Sequence, residues 1–221
     1  MTRTVVITGA NRGIGLALTE HFLAKGDTVY ALCRKPSAEL SATAAKVIAN
    51  VEVTDTDSLK ALRSQLDGIQ IDILINNAGI LERTSIENID DAAFERQYRV
   101  NSLAPLKVTA ALRDLMPAGS KLALVTSRMG SMADNSSGGQ YGYRMSKAAL
   151  NAAGVSLAQD LAGDNIAVAI LHPGFVQTDM VGGMGDVTPQ QSASGLAARI
   201  EELTMETSGT FWHANGDQLP W

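Results

Sequence analysis

The strongest constraint on the fold is the alternation of short apolar runs with longer segments of helical composition. Runs such as 4–8, 28–32 and 121–125 are rich in β-branched and aliphatic residues and have the length of strands. Strands that are almost continuously apolar, with helices between them, indicate a parallel sheet covered on both faces. No repeat, low-complexity segment or linker divides the chain. We therefore predict an α/β fold, with one doubly wound domain over 1–221, a parallel sheet of about seven strands and helices on both faces.

The same pattern gives approximate bounds for the elements. We expect Pro105 to bend the longest helix, because proline cannot donate the backbone hydrogen bond of a helix interior. Strands are predicted at 4–8, 28–32, 47–51, 71–75, 121–125, 166–171 and 210–213, and helices at about 14–25, 58–66, 90–116, 143–161 and 189–205.

Composition and charge argue against several classes of function. Hydrophobic residues make up 45% and charged residues 19% of the 221 positions, which is an ordinary globular balance. The net charge of -5 and the lack of a basic run make nucleic acid and membranes poor partners. No apolar run approaches the ~18 residues of a membrane-spanning helix. The single cysteine, Cys33, cannot form an internal disulfide, so we expect a cytoplasmic protein.

A glycine-rich loop, 8–15, follows the first predicted strand and opens the first helix. Gly9 would permit a tight exit from the strand, Gly13 a close approach of backbone to a pyrophosphate, and Gly15 close packing of helix and sheet. The N-terminus of a helix offers free N–H groups and a positive dipole end to phosphates. Many strand-to-helix turns contain glycines for purely structural reasons, but the position of this loop predicts nucleotide binding.

A second candidate site lies in the predicted helix 143–161. Tyr143 and Lys147 are four residues apart and therefore share one helix face. A neighbouring cation lowers the pKa of a phenol, so this tyrosine could exchange a proton with a carbonyl or an alcohol. Tyr141 is the rival, but Met145 and not lysine stands four residues beyond it. Taken alone, such a pair is common by chance.

Four motifs occur in the order that is typical of one protein family. The glycine loop has the spacing Gly-xxx-Gly-x-Gly, 76–79 is Asn-Asn-Ala-Gly, 143–147 contains Tyr-xxx-Lys, and 173–178 is Pro-Gly-Phe-Val-Gln-Thr. On these motifs the chain resembles the short-chain dehydrogenase/reductase family over nearly its whole length. Segments 143–151 and 216–221 resemble its subgroup around the C-factor signalling protein and the carbonyl reductase Sniffer. The resemblance implies a Rossmann fold and hydride transfer between NADP(H) and a carbonyl or alcohol substrate.

The resemblance also implies roles for four catalytic residues. Tyr143 is the expected general acid and base, and Lys147 would lower its pKa and hydrogen-bond the nicotinamide ribose. Ser127 would orient the substrate oxygen, with Ser131 as a weaker candidate because the loop before Tyr143 is longer than usual. Asn101 would hold a water that connects Lys147 to solvent. Its alternative role is to satisfy an irregular stretch of helix near the proline.

The charges beyond the second strand favour NADP(H) over NAD(H). Arg34 stands just past strand 28–32, where an aspartate would accept a hydrogen bond from the free ribose hydroxyl of NAD. Arginine instead suits the additional phosphate of NADP, by charge and by its bidentate fork. Alternatively, Arg34 and Lys35 only keep a loop hydrated.

Further cofactor contacts follow from the resemblance alone. Segment 52–53 would lie beside the adenine, 77–79 beneath the adenosine ribose, and 173–176 around the nicotinamide amide. The predicted cofactor-binding residues are Gly9, Asn11, Arg12, Gly13, Ile14, Gly15, Arg34, Glu52, Val53, Asn77, Ala78, Gly79, Tyr143, Lys147, Pro173, Gly174, Val176 and Thr178.

Two classes of function remain open: an NADP(H)-dependent oxidoreductase, and a dinucleotide-binding signalling or sensor module with little turnover. In either case we expect a homodimer or homotetramer formed through the two long helices, and no metal site, with His21, His172 and His213 structural. Segment 180–187 is short and glycine-rich and would form a mobile lid. The apolar wall of the substrate pocket is predicted to contain Met129, Met132, Tyr141, Phe175 and Met180.

Overall fold

The computed structural model describes residues 2–221; Met1, which the single-domain prediction includes, lies outside the described residues. One sheet of seven parallel strands has the order β3-β2-β1-β4-β5-β6-β7. The strands are β1 Thr4–Thr8, β2 Thr28–Leu32, β3 Lys46–Ile48, β4 Ile73–Asn76, β5 Lys121–Val125, β6 Ala167–His172 and β7 Phe211–His213, and the main helices are α1 Gly13–Ala24, α2 Ala38–Ser41, α3 Thr56–Gln65, α4 Asp91–Tyr98, α5 Ala104–Leu112, α6 Tyr141–Asp160 and α7 Pro189–Glu202.

Helices cover both faces of the sheet, which confirms the predicted architecture. Successive residues of a strand point to opposite faces. Val5 and Ile7 of β1 lie in one apolar core with residues of α1 and α7. Val6, between them, lies in a second core that contains residues of α3, α5 and α6. Strands that must be apolar on both sides account for the continuous runs in the sequence.

The strand order reverses beside β1, which pairs with β2 on one side and with β4 on the other. In an open α/β sheet the loops at such a switch point diverge and leave a crevice at the carboxyl ends of the strands. The loop after β1 is the glycine loop, and the loop after β4 begins with Asn77. The topology therefore brings these two sequence motifs to one crevice.

The long helical region predicted over 90–116 is continuous but irregular. A π-helical segment, Arg99–Leu103, separates α4 from α5. Pro105 lies in the first turn of α5, where a missing N–H is tolerated, so the irregularity lies before the proline and not at it. The segment carries Asn101, which is completely buried.

Helix α6 begins at Tyr141, two residues earlier than predicted, and includes Gly142. The glycine is required by packing and does not end the helix. A Cβ at Gly142 would lie 2.5 Å from Nε2 of Gln97 on α4, so only glycine allows the two helices to approach this closely. Helix α7 begins with a complete capping box between Thr188 and Gln191.

Candidate active site

One cleft of about 790 Å³ lies at the carboxyl ends of the strands. Among the predicted catalytic residues it is lined by Ser127, Tyr143 and Lys147, but not by Asn101. Every predicted cofactor-binding residue lines it, namely Gly9, Asn11, Arg12, Gly13, Ile14, Gly15, Arg34, Glu52, Val53, Asn77, Ala78, Gly79, Tyr143, Lys147, Pro173, Gly174, Val176 and Thr178.

The glycine loop is shaped by close backbone contacts. Gly9 and Gly13 have positive φ angles of 65° and 54°, which favour glycine. A Cβ at Gly9 would lie 2.9 Å from the Cα of Ala78, and one at Gly13 would lie 3.2 Å from Cγ2 of Thr178. A Cβ at Gly15 would overlap the carbonyl oxygen of Gly9. Gly15 therefore packs the helix against the loop itself, and not only against the sheet as predicted.

Thr8 joins the two loops of the crevice. Its Oγ1 accepts hydrogen bonds from the backbone N–H groups of Asn77 at 3.0 Å and Ala78 at 3.1 Å. The Asn77 side-chain amide donates in turn to the carbonyls of Thr8 at 3.0 Å and Gly9 at 3.2 Å. The sequence analysis did not single out Thr8, because a threonine at the end of a strand carries no distinctive signal.

Two ion pairs of exposed side chains line the cleft. The Arg34 guanidinium lies 3.8 Å from Oε2 of Glu52, and both side chains are exposed. Oε1 of Glu52 accepts from the backbone N–H and hydroxyl of Thr54, so half of this carboxylate is already engaged. Arg12 lies 3.3 Å from Asp179, in the segment before the predicted lid. Such exposed pairs contribute little to stability, which leaves both guanidinium groups available to a ligand.

The proton-transfer group lies deeper in the same cleft. Lys147 is buried, and its Nζ donates to the carbonyl of Val125 at 3.0 Å and lies 5.8 Å from the centroid of the Tyr143 ring. Burial lowers the pKa of Lys147 to about 8. Burial raises the pKa of Tyr143 to about 12, and a hydrogen bond with Ser127 opposes this rise. The Ser127 Oγ also accepts from the N–H of Met129 at 3.1 Å, which fixes the serine at the start of a short turn.

The direction of the tyrosine shift corrects the sequence analysis. Lys147 was expected to lower the pKa of Tyr143, but desolvation dominates and raises it. A neutral phenol is the form that can donate a proton to a carbonyl, so the shift suits the reductive direction. The lowered pKa of Lys147 has the same cause, since burial disfavours each charged form.

Asn101 acts mainly as a structural link in the described residues. Its Nδ2 donates to the carbonyl of Ile80 at 2.9 Å and to Oγ of Ser146 at 3.0 Å, and its Oδ1 accepts from the N–H of Ile80 at 2.8 Å. These bonds tie the π-helical segment to the loop after β4 and to α6. Their partners lie on the loop after β4 and on α6 and not on the irregular helix, so the structural alternative and the role in holding a water both stay predictions.

The structure separates the predicted candidates that were in competition. Ser131 is buried outside the cleft, where its Oγ accepts from the N–H of Asp134 at 3.0 Å. Tyr141 and Met132 are exposed and do not line the cleft, so their predicted places in the substrate wall are wrong. Met129, Phe175 and Met180 do line it.

Two histidines that were predicted to be structural, His172 and His213, also line the cleft, as does Arg128, for which no role was predicted. The rings of His172 and His213 pack edge to face with centroids 4.8 Å apart. Burial lowers the pKa of His172 to about 3, and Arg128 adds to this effect. Adjacent positions at the ends of β6 and β7 bring the histidines together, and their separation in the sequence hides this contact. Among the described residues, no group of three metal-ligating side chains occurs, and the expected absence of a metal stays a prediction.

The predicted lid is a looped segment closed at its base. Val176 bridges to Val187, and Gln177 N–H donates to the carbonyl of Val187 at 3.0 Å. Between them, Gly182 and Gly183 have positive φ angles. The motion of this segment stays a prediction.

Replacing Lys147 by methionine should stabilise the cofactor-free protein at pH 7 by about 1–3 kcal/mol, because a buried ammonium is lost. The folded-state pKa lies below the unfolded value of 10.5, so the penalty of the lysine is fully present below about pH 8 and disappears as the pH rises to 10.5. Urea unfolding of both proteins at pH 7 and pH 10 measures this. An equal stability difference at the two pH values would contradict the explanation.

The cleft fits a dinucleotide. Helix α1 begins at Gly13 without a side-chain cap, so its first N–H groups face the loop without a side-chain acceptor. Glycines surround that point, and Arg12, Arg34, Tyr143 and Lys147 also line the cleft. Together these groups would hold a pyrophosphate at the helix N-terminus and the adenosine half near the arginines.

Comparison with known proteins gives consistent matches. The family model described as short chain dehydrogenase matches residues 3–188. A 1-hydroxy-2-glutathionyl-2-methyl-3-butene dehydrogenase from Rhodococcus sp. (strain AD45) is 39% identical and covers 99% of both chains. C-signal from Myxococcus xanthus is 42% identical over 68% of this chain and 93% of its own, in agreement with the predicted subgroup. The crystal structure of an NADPH-bound carbonyl reductase from chicken fatty liver has a TM-score of 0.91 at 31% identity, covering 100% of this chain and 99% of the other.

Proposed function

The chain belongs to the short chain dehydrogenase family of oxidoreductases, and we propose that it is an NADP(H)-dependent carbonyl reductase with Tyr143 as its general acid and base. The observation that carries this proposal is the meeting of Ser127, Tyr143 and Lys147 in the cleft that also contains the glycine loop. A nucleotide-binding module alone would need no buried tyrosine beside a serine and a lysine. We take the whole of 1–221 as its single domain.

Residues of the protein orient the substrate, donate the proton and stabilise the charge that develops. NADPH, when bound, supplies the hydride. Ser127 orients the carbonyl oxygen of the substrate, and the Tyr143 phenol, kept neutral by burial, donates a proton to that oxygen. The Lys147 ammonium donates a hydrogen bond to the carbonyl of Val125 at the end of β5. When charged, it stabilises the phenolate that remains after proton transfer.

Consumption of NADPH in the presence of aldehydes, ketones and quinones tests the proposal. The Rhodococcus relative adds a further class, because its name specifies an alcohol that carries a glutathionyl group. Alcohols of this kind should therefore be tested with NADP⁺ in the oxidative direction. Binding of NADPH without turnover of any member of this panel would contradict the enzymatic role.

Arg34 underlies the proposed preference for NADP(H), which the NADPH of the chicken enzyme supports. The Arg34→Ala variant should bind NADPH roughly 10- to 100-fold more weakly and NADH almost as before, since a charge-assisted hydrogen bond contributes about 1.5–3 kcal/mol. Fluorescence titration with both cofactors measures the ratio. An unchanged ratio would exclude Arg34 as its source.

A second candidate function is signalling, and the match to C-signal favours it. In that case the cleft would bind a dinucleotide while another surface contacts a partner. The catalytic set in the cleft makes this the weaker candidate. Turnover of a carbonyl substrate that is lost on replacement of Tyr143 would favour the enzymatic role over signalling.

We also propose a homodimer or homotetramer in the cytoplasm. Support for the assembly comes from exposed apolar side chains on the two long helical regions, at Tyr98 on α4 and at Met145 and Val155 on α6. Among the described residues no helix has the length and hydropathy needed to cross a membrane. Cys33 is buried and free.

A further inference from the structure

Arg128 is a charged side chain of the cleft that the proton-transfer group does not use. It directly follows Ser127 and begins the short turn Arg128–Gly130. It lines the same cleft as Tyr143, and half of its side chain is exposed. Its Cα therefore lies about 3.8 Å from that of Ser127, the proposed substrate-orienting serine.

The hydrogen bonds of Arg128 leave part of its guanidinium free. Nε and Nη2 both donate to one oxygen, Oδ2 of Asp134, at 2.8 and 2.6 Å. Nη1, the third nitrogen of the guanidinium, makes no hydrogen bond to any of residues 2–221. Half of the Arg128 side chain is exposed, and ion pairs near the surface add little to stability, so stability gives little reason for an arginine here.

The loop that carries Asp134 is held in place from two sides. The Asp134 N–H donates to Oγ of Ser131 at 3.0 Å, and the Ala133 N–H donates to the carbonyl of Trp221 at 2.8 Å. The Trp221 ring stacks on Phe211 at a centroid distance of 5.4 Å. Asp134 is therefore a fixed acceptor, and it orients the guanidinium before any ligand binds.

The charge of Arg128 acts on both histidines that line the cleft. It lowers the pKa values of both His172 and His213. Asp134 and Asp217 act in the opposite direction on one histidine each, whereas the lid carboxylates contribute to neither. The guanidinium groups of Arg12 and Arg34, which also line the cleft, are paired with Asp179 and Glu52.

His213, which lines the same cleft as Arg128, supplies a second hydrogen-bond donor. Its Nδ1 accepts from the N–H of Asn215 at 2.9 Å, so the neutral ring carries its proton on Nε2. Nε2 lies 3.9 Å from the position that a Cβ of Gly174 would occupy, beside the cleft. Met129 and Phe175 also line the cleft.

From this arrangement we propose that Arg128 binds an anionic group of the substrate, so that the enzyme prefers carbonyl or alcohol substrates that carry a carboxylate. The free Nη1 edge of the guanidinium holds the carboxylate, and the hydroxyl of Ser127 holds the reacting oxygen. Arg128 is thus a specificity-determining residue. The proposal rests on the proposed carbonyl reductase function and adds the chemical class of its substrate.

The test compares two aldehydes that differ only in charge, 4-formylbenzoate and its methyl ester, with NADPH as reductant. The wild-type protein should have the higher kcat/KM for the acid. Arg128→Gln should lower the acid-to-ester ratio roughly tenfold or more, because a charge-assisted hydrogen bond of about 1.5–3 kcal/mol is lost. Arg128→Lys should give an intermediate ratio, since lysine keeps the charge but not the fork.

Arg113→Gln is the matched control. Arg113 pairs with Asp164 at 2.6 Å, the same distance as the Arg128–Asp134 pair, and its side chain is equally exposed at 52%. It lies outside the cleft, so the acid-to-ester ratio should stay at the wild-type value. Equal losses for acid and ester in Arg128→Gln, or no preference of the wild type for the acid, would overturn the anionic subsite and leave carbonyl reduction standing.

If neither aldehyde is reduced, the proposed function fails and calorimetry decides the subsite by itself. Benzoate and the neutral benzamide are titrated into the protein saturated with NADP⁺. Benzoate should bind more tightly than benzamide to the wild type, and roughly tenfold more weakly to Arg128→Gln than to the wild type. Equal binding of benzoate to both proteins would overturn the proposal.

Discussion

Replacement of Tyr143 by phenylalanine should lower kcat for carbonyl reduction by roughly 10²–10⁴-fold, the usual contribution of a positioned general acid. The ring of Tyr143 is buried beside Lys147, and phenylalanine retains this packing while it removes the proton donor. The glycine loop is unchanged, so NADPH should still bind. Steady-state kinetics with the best substrate of the carbonyl panel, together with NADPH fluorescence titration, separates the two effects.

Tyr141→Phe is the control for this experiment. Tyr141 lies two residues away on the same helix, is 39% exposed and is not part of the cleft. Its kcat should remain close to that of the wild type. Comparable losses in both variants would show that helix α6 is sensitive to any such change, and full activity of Tyr143→Phe would remove the tyrosine from the mechanism.

Replacement of Gly15 by alanine should weaken NADPH binding by roughly tenfold or more and reduce stability by about 1–3 kcal/mol. The added Cβ would overlap the carbonyl oxygen of Gly9 and lie 2.6 Å from Nδ2 of Asn77. The first of these neighbours is backbone, and the second is already hydrogen-bonded to Thr8, so neither can move without displacing the crevice. Urea unfolding gives the stability term, and NADPH titration gives the affinity.

Gly163→Ala provides the comparison at an open position. Nothing lies within 4 Å of a Cβ at Gly163, and its φ angle is not positive. Its stability should change by no more than about 0.5 kcal/mol, with no effect on NADPH binding. A Gly15→Ala protein that binds NADPH like the wild type would mean that the loop can relax, and that its close packing is not needed for the cofactor.

Most of the fold could be predicted because a parallel sheet buried on both faces requires continuous apolar strands. β1, β2 and β5 occupy the predicted positions. The predicted helix bounds differ from the structure where packing between residues distant in the sequence, or the shortness of the helix, determines the outcome. Gly142 lies inside α6 with Gln97 packed against it, and the four-residue helix α2 was too short to give a periodic signal.

The sequence predicted which residues line the candidate site better than it predicted the pKa values of those residues. Motif order brought Ser127, Tyr143 and Lys147 together, and the structure places them in one cleft. The direction of the tyrosine pKa could not be read from helical spacing, because desolvation depends on everything packed around the ring. The places of Arg128 and His213 in the cleft could not be predicted for the same reason, since the contacts between the ends of β5, β6 and β7 exist only after folding.

The Thr8 hydroxyl has a consequence for how such a protein can change during evolution. It lies at the end of β1 and fixes the two loops of the crevice through bonds to Asn77 and Ala78, the first two residues after β4. The segments that carry Arg128 and the lid take no part in those bonds. Mutations can therefore alter the range of substrates while the dinucleotide half of the cleft is inherited unchanged, so relatives with the same cradle can diverge in the compounds that they transform.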